Sequence, residues 1–380
     1  MQLEELRNKI NEIDDQMVDL FVERMKVAAQ IGGTKAENNL PVLDKRRERT
    51  VLQKVMERAG EEFELYTNTL YQTMFDVSRS YQAGLLIQET PLSEEILKNT
   101  EQPLMEFPKK AVVAVQGTEG SYAESACERL FGMPNTMFFN RFENVFHAVE
   151  TGLCRYGVLP VENSSAGSVT EVYDLMVSHK FYIVRSLKLR INHALLARPG
   201  VEIGQIKEII SHEQALSQCS EFLKSMPNVK VTVFENTATA AQYVAESNRD
   251  DIAAISSPEC AKLYGLHVLK DVIQNNPNNY TRFICIAKNM EIYAGSNKIS
   301  LLLSVSHRPG SLYQMLGKVA CRGINLSKLE SRPIPGKDFE FRFYFDLDAS
   351  VFSKEVITLL KDMEIAADQF SFLGCYSEIA

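Results

Sequence analysis

The sequence of 380 residues contains no tryptophan, no long apolar run and no excess of basic residues. No apolar stretch approaches the roughly 18 residues that a membrane-spanning helix needs, and the acidic, amphipathic N-terminus differs from a signal peptide. Asp and Glu (49) outnumber Lys and Arg (41), and the net charge of −8 argues against general affinity for nucleic acid. We therefore expect neither a membrane nor a nucleic acid among its partners.

Cysteine and histidine are present but never clustered. The seven cysteines and six histidines form no CxxC, no HExxH and no Cys/His pair at the spacing of zinc ligands. An odd number of cysteines without a signal peptide fits reduced thiols in the cytoplasm, most of them packed as small hydrophobic side chains. The sequence therefore predicts a cytoplasmic protein without a metal site.

The length predicts two to three domains at about 150 residues per domain, and the residue pattern divides the chain into three. Residues 1–88 have helical periodicity, and 89–110, with three prolines and little periodicity, are interpreted as a linker. Residues 111–290 alternate strands with helices, which predicts an α/β domain with parallel strands. Residues 298–380 follow the order βαββαβ, which is that of an α+β ferredoxin-like domain.

The first helix carries an apolar seam that a single chain leaves without an equally long partner. Its residues recur at alternating spacings of three and four, as in a coiled coil: Leu3, Leu6, Ile10, Ile13, Met17 and Leu20. The two helices expected next, at about 44–58 and 62–87, are shorter. We therefore expect a homodimer that buries the seam.

The α/β segment fits either one domain or two lobes. The strand-like stretch YIVRSLKLRINHALLA is long enough to cross between lobes, with a return near Leu263–Asp271. Ligands of open α/β sheets bind beyond the carboxyl ends of strands. The polar segments at such ends are Gln116–Tyr122, Glu162–Ser165, Ser211–Gln214 and Glu235–Thr239. Thr281 and Arg282, before a later strand, add a hydroxyl and a guanidinium.

Helix geometry restricts which cations of the N-terminal segment act together. Between Arg24 and Lys35 a helix rises about 16 Å and is displaced by roughly 20° around its axis, so both side chains point the same way. Between Arg7 and Arg24 it rises about 25 Å and is displaced by roughly 100°. Arg7 therefore reaches a shared small ligand only from a dimer partner. The alternative is that these cations simply coat a solvated helix.

The run from Leu6 to Glu48 and the segment DVSRSYQ resemble the all-helical chorismate mutases, which are intertwined dimers. The resemblance implies eight substrate-binding residues: Arg7, Arg24, Lys35, Asp44, Arg47, Glu48, Ser78 and Gln82. It also implies that the arginines hold carboxylates, that Lys35 and Gln82 donate to the ether oxygen, and that Glu48 accepts from the ring hydroxyl. This rearrangement of chorismate to prephenate needs no metal and no cofactor.

The segments GTEGSY, PVENSSAG, SHEQAL, NTATAA and YTRF resemble prephenate dehydratase across residues 111–288, and that family has two α/β lobes around a cleft. The resemblance implies that Thr281 is the catalytic hydroxyl. The implied substrate-binding residues are Ser121, Glu162, Asn163, Ser164, Gln214, Thr237, Arg282 and Phe283. The usual His-Pro-Gln is His212-Glu213-Gln214 here. The alternative is helix capping, by Glu162 or Asn163 near Ser168–Ser178 and by Thr237.

The segments RPGSLYQML (308–316) and LESRP (329–333) resemble the ACT domain, an amino-acid-binding module. In related enzymes phenylalanine binds between paired ACT domains and inhibits. The resemblance implies L-phenylalanine as effector and a second dimer contact. A glycine before a helix lets the backbone approach a ligand, and the helix N-terminus favours a carboxylate. The implied binding residues are Gly310, Ser311, Leu312, Glu330, Ser331 and Arg332.

Together the resemblances predict a multidomain enzyme of phenylalanine biosynthesis. It has an all-α mutase domain, a two-lobed α/β dehydratase domain and an ACT domain, in a homodimer or a larger oligomer. One alternative is a non-catalytic amino-acid sensor in which the two lobes bind a ligand and the ACT domain reports it. A mutase fused to a dehydrogenase is unsupported, because no GxGxxG follows a strand.

Overall fold

A computed structural model of the chain describes residues 3–38, 44–86, 89–334, 336–337 and 340–379. The chain forms two compact units. Unit 1 combines the N-terminal residues up to Lys98 with Leu301–Ser371, and unit 2 combines Asn99–Ser300 with the residues from Phe372 onwards. The helical segment and most of the predicted ferredoxin-like segment therefore share one unit, a grouping that the sequence pattern did not predict.

The N-terminal part of unit 1 is helical, as predicted. Its helices are α1 (Leu3–Glu37), α2 (Lys45–Ala59), α3 (Glu64–Leu86) and α4 (Pro91–Glu101). Helices α1 and α2 both pack on α3. Helix α1 continues through Gly32 and Gly33, which places Lys35 in its last turn.

The seam of α1 is exposed in the single chain. Leu3 is 64% exposed and Leu20 is 65% exposed, and the four seam residues between them are exposed as well. Exposure of an unbroken apolar stripe is unfavourable in water and marks an interaction surface. This agrees with the seam expected from the sequence.

Residues 89–110, interpreted as a linker, contain a helix, and the boundary between the two units falls within them, after Lys98. Helix α4 occupies half of this stretch, with Ser93 and Ile96 buried. Pro91 is its first residue, a position where proline's missing N–H costs no helical hydrogen bond. Further along, Phe107 packs against the aromatic rings of Phe131, Tyr156 and Tyr293. Proline in the sequence pattern suggests a break, whereas Pro91 marks the start of a helix.

The first lobe of unit 2 is a mixed sheet covered by helices. Its elements are β1 (Val112–Gln116), α5 (Tyr122–Phe131), β2 (Asn135–Phe139), α6 (Phe142–Glu150), β3 (Tyr156–Asn163), β4 (Gly167–Ser168), α7 (Thr170–Ser178) and β5 (Tyr182–Arg190). The strands β2, β1 and β3 are parallel neighbours. A later strand, β11 (Tyr280–Ala287), lies antiparallel between β3 and β5.

The second lobe has a sheet of its own. Its elements are β6 (Ala194–Ala197), a 3₁₀ turn (Ile203–Gln205), β7 (Glu208–Ser211), α8 (Glu213–Gln218), α9 (Ser220–Lys224), β8 (Lys230–Val233), α10 (Thr237–Glu246), β9 (Ile252–Ser256), α11 (Pro258–Tyr264) and β10 (His267–Lys270). The strand order is β10-β6-β9-β7-β8. The chain enters this lobe between Arg190 and Ala194, within the predicted crossing. It returns between Lys270 and Tyr280, later than expected.

The C-terminal segment has the predicted element order. Its elements are β12 (Lys298–Ser304), α12 (Ser311–Ala320), β13 (Asn325–Pro333), β14 (Phe341–Asp348), α13 (Lys354–Ala366) and β15 (Gln369–Ile379). The strands follow the order β13-β14-β12-β15. Helices α12 and α13 pack on each other and on α3, all within unit 1. At its end β15 runs parallel to β5, from Ser377 to Ile379.

Six of the seven cysteines are buried and all seven are free, as expected of packed thiols. Within the part of the chain that the structure describes, no helix has both the length and the apolar character needed to cross a membrane. No group of three or more His, Cys, Asp or Glu side chains in the same residues is arranged to hold a metal ion.

Candidate active sites

A pocket of about 520 Å³ lies among α1, α2 and α3. We call it the helical pocket. It brings together seven of the eight residues implied by the mutase resemblance: Arg24, Lys35, Asp44, Arg47, Glu48, Ser78 and Gln82. Residues from three helices meet there because α1 and α2 both pack on α3.

Local interactions fix two walls of the helical pocket. Asp44 is the N-cap of α2, and its carboxylate accepts a hydrogen bond from the backbone N–H of Arg47 at 2.9 Å. This cap ties the start of α2 and orients the residues of its first turn. On α3, Gln82 Nε2 donates to Ser78 Oγ at 3.2 Å, and both side chains are buried.

Two buried polar atoms of the helical pocket lack a hydrogen-bond partner among the described residues. They are Nη1 of Arg24 and Oε1 of Gln82. The Arg24 guanidinium also lies over the Phe75 ring, 5.5 Å from its centroid. Because an unsatisfied buried polar group is costly, such atoms indicate a ligand that completes them. For Arg24 the matching ligand group is an anion.

Arg79 is a fourth cation in this pocket, and sequence reasoning missed it. Its guanidinium contacts Glu48 of α2 through Nη1 and Asp76 of α3 through Nη2. It also lines the pocket beside Ser78. The spacing of Asp76 and Arg79, three residues apart on one helix, was the available signal.

Arg7 is exposed and does not line the helical pocket. The rise and rotation of α1 between Arg7 and Arg24 predicted this separation. Within one chain the pocket therefore contains seven of the eight expected residues.

A second site lies at the edge of the first lobe where β3 ends and β11 begins. We call it the strand-edge site and define it by Asn163, Gln218, Asn279 and Thr281. Thr281 is in register with Asn163 across the two strands. Asn163 Nδ2 donates to Thr281 Oγ1 at 2.9 Å and to Asn279 Oδ1 at 2.8 Å. A buried amide thus holds the predicted catalytic hydroxyl.

The hydrogen bonds around Asn163 determine which way its amide faces. Its Oδ1 accepts from the backbone N–H groups of Ser165 and Ala166, both at 2.9 Å. Because backbone N–H groups only donate, the opposite end of the amide is the NH₂ that faces Thr281. Thr281 Oγ1 therefore accepts from Asn163, and its own O–H is left to donate to a ligand.

Three further residues of this network were missed. Gln218 Nε2 donates to Asn163 Oδ1 at 3.2 Å, and Gln218 Oε1 accepts from Asn279 Nδ2 at 2.9 Å. His193 Nε2 lies 2.9 Å from Gln218 Oε1. Burial lowers the pKa of His193, although the bond to Gln218 opposes this. A neutral His193 that donates from Nε2 fits these contacts.

The sequence contained a signal for two of the missed residues. Gln218 follows Gln214 by four residues on α8, so the two share a helix face. Asn279 precedes Thr281 by two residues, so the two point to the same side of an extended chain. Gln214 itself is exposed, and its backbone N–H is capped by His212 Nδ1 at 3.2 Å.

Other predicted residues have local structural roles. Ser164 Oγ donates to Asn278 O at 3.1 Å and accepts from Tyr280 N at 2.9 Å, which clamps the two strands. Buried Ser121 caps α5 by accepting from Glu124 N at 3.3 Å.

The capping alternatives proved wrong in detail. The N-cap position of α7 is Val169, without a side-chain cap, so neither Glu162 nor Asn163 caps that helix. For α10 the cap is Asn236, and Thr237 is the first helical residue.

Arg282 and Phe283 are not brought into the strand-edge site. The Arg282 guanidinium lies 2.9 Å from Glu378 Oε2 and donates to the Tyr376 hydroxyl at 2.8 Å. Phe283 is buried in the hydrophobic core of the first lobe. Glu162 is in register with Arg282, on the sheet face opposite Asn163 and Thr281. Adjacent residues of a strand point to opposite faces of the sheet, which explains why Arg282 and Glu162 face away from Thr281 and Asn163.

The residues implied by the ACT resemblance lie in unit 1, on α12, its N-cap and β13. Gly310 is the N-cap of α12 with φ of 85°, a conformation that favours glycine. Ser311 Oγ lies 3.3 Å from Ser306 Oγ, and Leu312 is half-buried. Glu330, Ser331 and Arg332 lie on β13, the last strand of its sheet.

Comparison with known proteins identifies a family for each of the two regions of the chain that contain these sites. The family of type II chorismate mutases matches residues 6–83, and the prephenate dehydratase family matches residues 113–291. The bifunctional chorismate mutase/prephenate dehydratase of Escherichia coli K12 is 31% identical over 380 residues, which cover 98% of this chain and 95% of the relative. The chain belongs to the bifunctional chorismate mutase/prephenate dehydratase family.

Two further relatives cover the dehydratase part of this bifunctional enzyme. Arogenate dehydratase/prephenate dehydratase 1 of Arabidopsis thaliana is 36% identical over 315 residues, 79% of each chain. The solved structure of prephenate dehydratase from Arthrobacter aurescens, in complex with L-Phe, is 29% identical with a TM-score of 0.65. That match covers 70% of this chain and 89% of the other.

Proposed function

We propose that the helical pocket rearranges chorismate to prephenate and that the strand-edge site converts prephenate to phenylpyruvate. The observation that carries the first half is the convergence of Arg24, Lys35 and Arg47 on one pocket. The second half rests on Thr281, whose hydroxyl is oriented by Asn163.

The rearrangement is unimolecular, so the pocket acts by binding and by charge. Arg24 and Arg47 bind the substrate carboxylates, and the unpaired Nη1 of Arg24 supplies one of these contacts. Lys35 and the amide of Gln82 donate to the ether oxygen as negative charge develops there. Glu48 accepts from the ring hydroxyl, which holds the compact conformer. Asp44 and Ser78 orient these groups.

Dehydration uses the proton that Thr281 is free to donate. As the bond from the ring to the carboxylate breaks, its electron pair enters the ring and carbon dioxide leaves. The ring hydroxyl departs as water with a proton delivered through Thr281, which is then replaced from solvent. The ring becomes aromatic, and that gain supplies most of the driving force. Asn163, Gln218 and Asn279 keep the hydroxyl aimed.

The C-terminal segment, residues 298–380, serves as an ACT domain that binds L-phenylalanine and inhibits the enzyme. Its order βαββαβ, the N-cap glycine of α12 and the L-Phe complex of the Arthrobacter relative support this. Gly310, Ser311 and Leu312 meet the ligand from α12, and Glu330, Ser331 and Arg332 from β13. Inhibition requires a coupling free energy between effector and substrate binding.

A homodimer completes the enzyme. The exposed seam of α1 packs against the same seam of a second chain, and Arg7 of one chain enters the helical pocket of the other. The edge strand β13 provides a second contact between copies. The seven free cysteines suit the reducing cytoplasm.

Incubation of the purified chain with chorismate alone tests the proposal. One molecule of phenylpyruvate for each chorismate is expected, without added cofactor. Accumulation of prephenate would show that the chain has only the mutase activity. No turnover of either substrate would favour the alternative, a non-catalytic amino-acid sensor.

A further inference from the structure

Arg79 occupies a position between two carboxylates from different helices. One end of its guanidinium contacts Glu48 of α2, and the other contacts Asp76, one turn earlier on α3. All three side chains are at least half-buried, with exposed fractions of 20%, 26% and 13% for Arg79, Glu48 and Asp76. Partial burial strengthens charged hydrogen bonds relative to those on the open surface.

We propose that Arg79 is a positioning residue of the mutase reaction, which keeps Glu48 aimed into the helical pocket and offsets its charge. The inference deepens the proposed function and rests on the role assigned there to Glu48. Asp76 completes the arrangement, because it occupies the second arm of the guanidinium and fixes its orientation. Arg79 acts through Glu48 and needs no contact with the substrate.

A carboxylate in this pocket presents an electrostatic difficulty. Chorismate is a dianion, so an uncompensated Glu48 would repel the ligand that the arginines attract. Bound to Arg79, Glu48 keeps a lone pair for the ring hydroxyl while its charge is offset.

Other charged groups face Glu48 from all three helices and contribute to the same balance. They are Glu23, Arg24 and Lys35 of α1, Asp44 and Arg47 at the start of α2, and Asp76 and Arg79 of α3. The substrate engages Arg24, Lys35 and Arg47 in the proposed reaction. Arg79 instead contacts two carboxylates of the protein, Glu48 and Asp76.

The test is a double-mutant cycle on the mutase rate in the full-length chain. Arg79→Gln removes the group that aims Glu48, so kcat/KM for chorismate should fall by about tenfold in the wild-type background and change little in a Glu48→Gln background. Arg79→Lys should recover part of the loss. Arg58→Gln, the same change on an exposed part of α2, should leave kcat/KM unchanged.

Asp76→Asn gives an independent outcome. Loss of this carboxylate loosens Arg79, so kcat/KM for chorismate should fall, by less than in Arg79→Gln. An equal fall on Arg79→Gln with and without Glu48, or no fall in either background, would overturn the proposal.

Two measurements separate this inference from the proposed function. Glu48→Gln is assayed in parallel: full mutase activity in that variant would remove the role of Glu48 itself. Loss of activity in Glu48→Gln, with full activity in Arg79→Gln, would reject Arg79 alone. Far-UV circular dichroism reports the helical unit, and Arg79→Met replaces Arg79→Gln in the same comparison if helical content falls.

Discussion

The helical pocket gathers charge, whereas the strand-edge site consists of amides, a hydroxyl and a neutral imidazole. Arg24, Lys35 and Arg47 meet in the pocket, but Asn163 and Thr281 meet inside a network that carries no charge. The difference follows the chemistry. A pericyclic rearrangement gains from fixed charge at a developing oxyanion, while an aromatisation needs only one aimed proton.

The two sites also differ in how much of each one chain supplies. The helical pocket lacks Arg7 and lies beside the exposed seam of α1. The strand-edge site is assembled from the two lobes of unit 2, with Gln218 from the second lobe and Asn163 from the first. We therefore expect the mutase to depend on a partner chain and the dehydratase chemistry to depend on lobe contacts.

The largest expected effect tests whether the two sites work separately. Thr281→Ala removes the aimed proton and should lower prephenate dehydration by about 10²- to 10³-fold. Conversion of chorismate to prephenate should continue, so prephenate accumulates. Product analysis by chromatography distinguishes the two, and Thr281→Ser, which retains a hydroxyl, serves as the control. Loss of both activities in a folded Thr281→Ala chain would contradict the division of labour.

The sequence predicted the residues that meet in the helical pocket better than those that meet in the strand-edge site, for a physical reason. On a long helix, periodicity alone fixes where Arg24 and Lys35 point relative to each other, and the structure places both in one pocket. The strand-edge network depends on which side chains the lobes bring together. His193 and Gln218 are far apart in sequence from Asn163, so no local pattern joins them.

Strand pairing explains two other outcomes. Arg282 follows Thr281 directly, so the pleat turns it to the opposite face, where Glu378 lies. In β14 buried and polar residues do not alternate strictly, because the neighbours Tyr344 and Phe345 are both fully buried. Alternation predicts burial only where one face of a sheet is left to solvent.

The dimer dependence of the mutase is tested by complementation. Arg7→Ala and Arg24→Ala should each lower mutase activity by about 10²-fold, because each removes a carboxylate contact. In a mixed dimer, one pocket has both arginines and the other has neither. Refolding an equal mixture should therefore restore about a quarter of wild-type activity, since half of the dimers are mixed. An inactive mixture would show that Arg7 acts within its own chain.

A smaller effect is expected if Arg282, the cation next to Thr281 in the sequence, has a structural role. Glu378→Ala leaves Arg282 buried without its carboxylate and should destabilise unit 2 by about 3 kcal/mol at pH 7. The KM for prephenate should not change. Denaturant unfolding followed by dehydratase activity measures the first quantity, with Glu221→Ala, at an exposed site of α9, as the matched control. A raised KM for prephenate with unchanged stability would indicate that Arg282 binds the substrate.

The contribution of Glu378 should also depend on pH. Burial raises the pKa of Glu378, but the hydrogen bond from Lys188 and the charges of Arg282 and Lys298 outweigh it and hold the pKa below its ordinary value. A carboxyl group whose pKa is lowered by folding stabilises the folded state at pH values above its unfolded pKa of about 4.3. This stabilisation is lost as the pH falls through the folded-state pKa. The stability difference between wild type and Glu378→Ala should therefore narrow below pH 4.

The smallest expected effect concerns the donor at position 82. An amide needs no proton to donate, so the wild-type mutase rate should show no fall due to this donor between pH 6 and pH 8. In Gln82→Glu the donor exists only while the carboxyl is protonated, and the mutase rate should fall as pH rises. Dehydration of added prephenate, measured in the same samples, should keep its wild-type profile because the strand-edge site contains no residue of α3. A pH-dependent loss in the wild type across that range would mean that the helical pocket, too, depends on an aimed proton, and the contrast between the two sites would disappear.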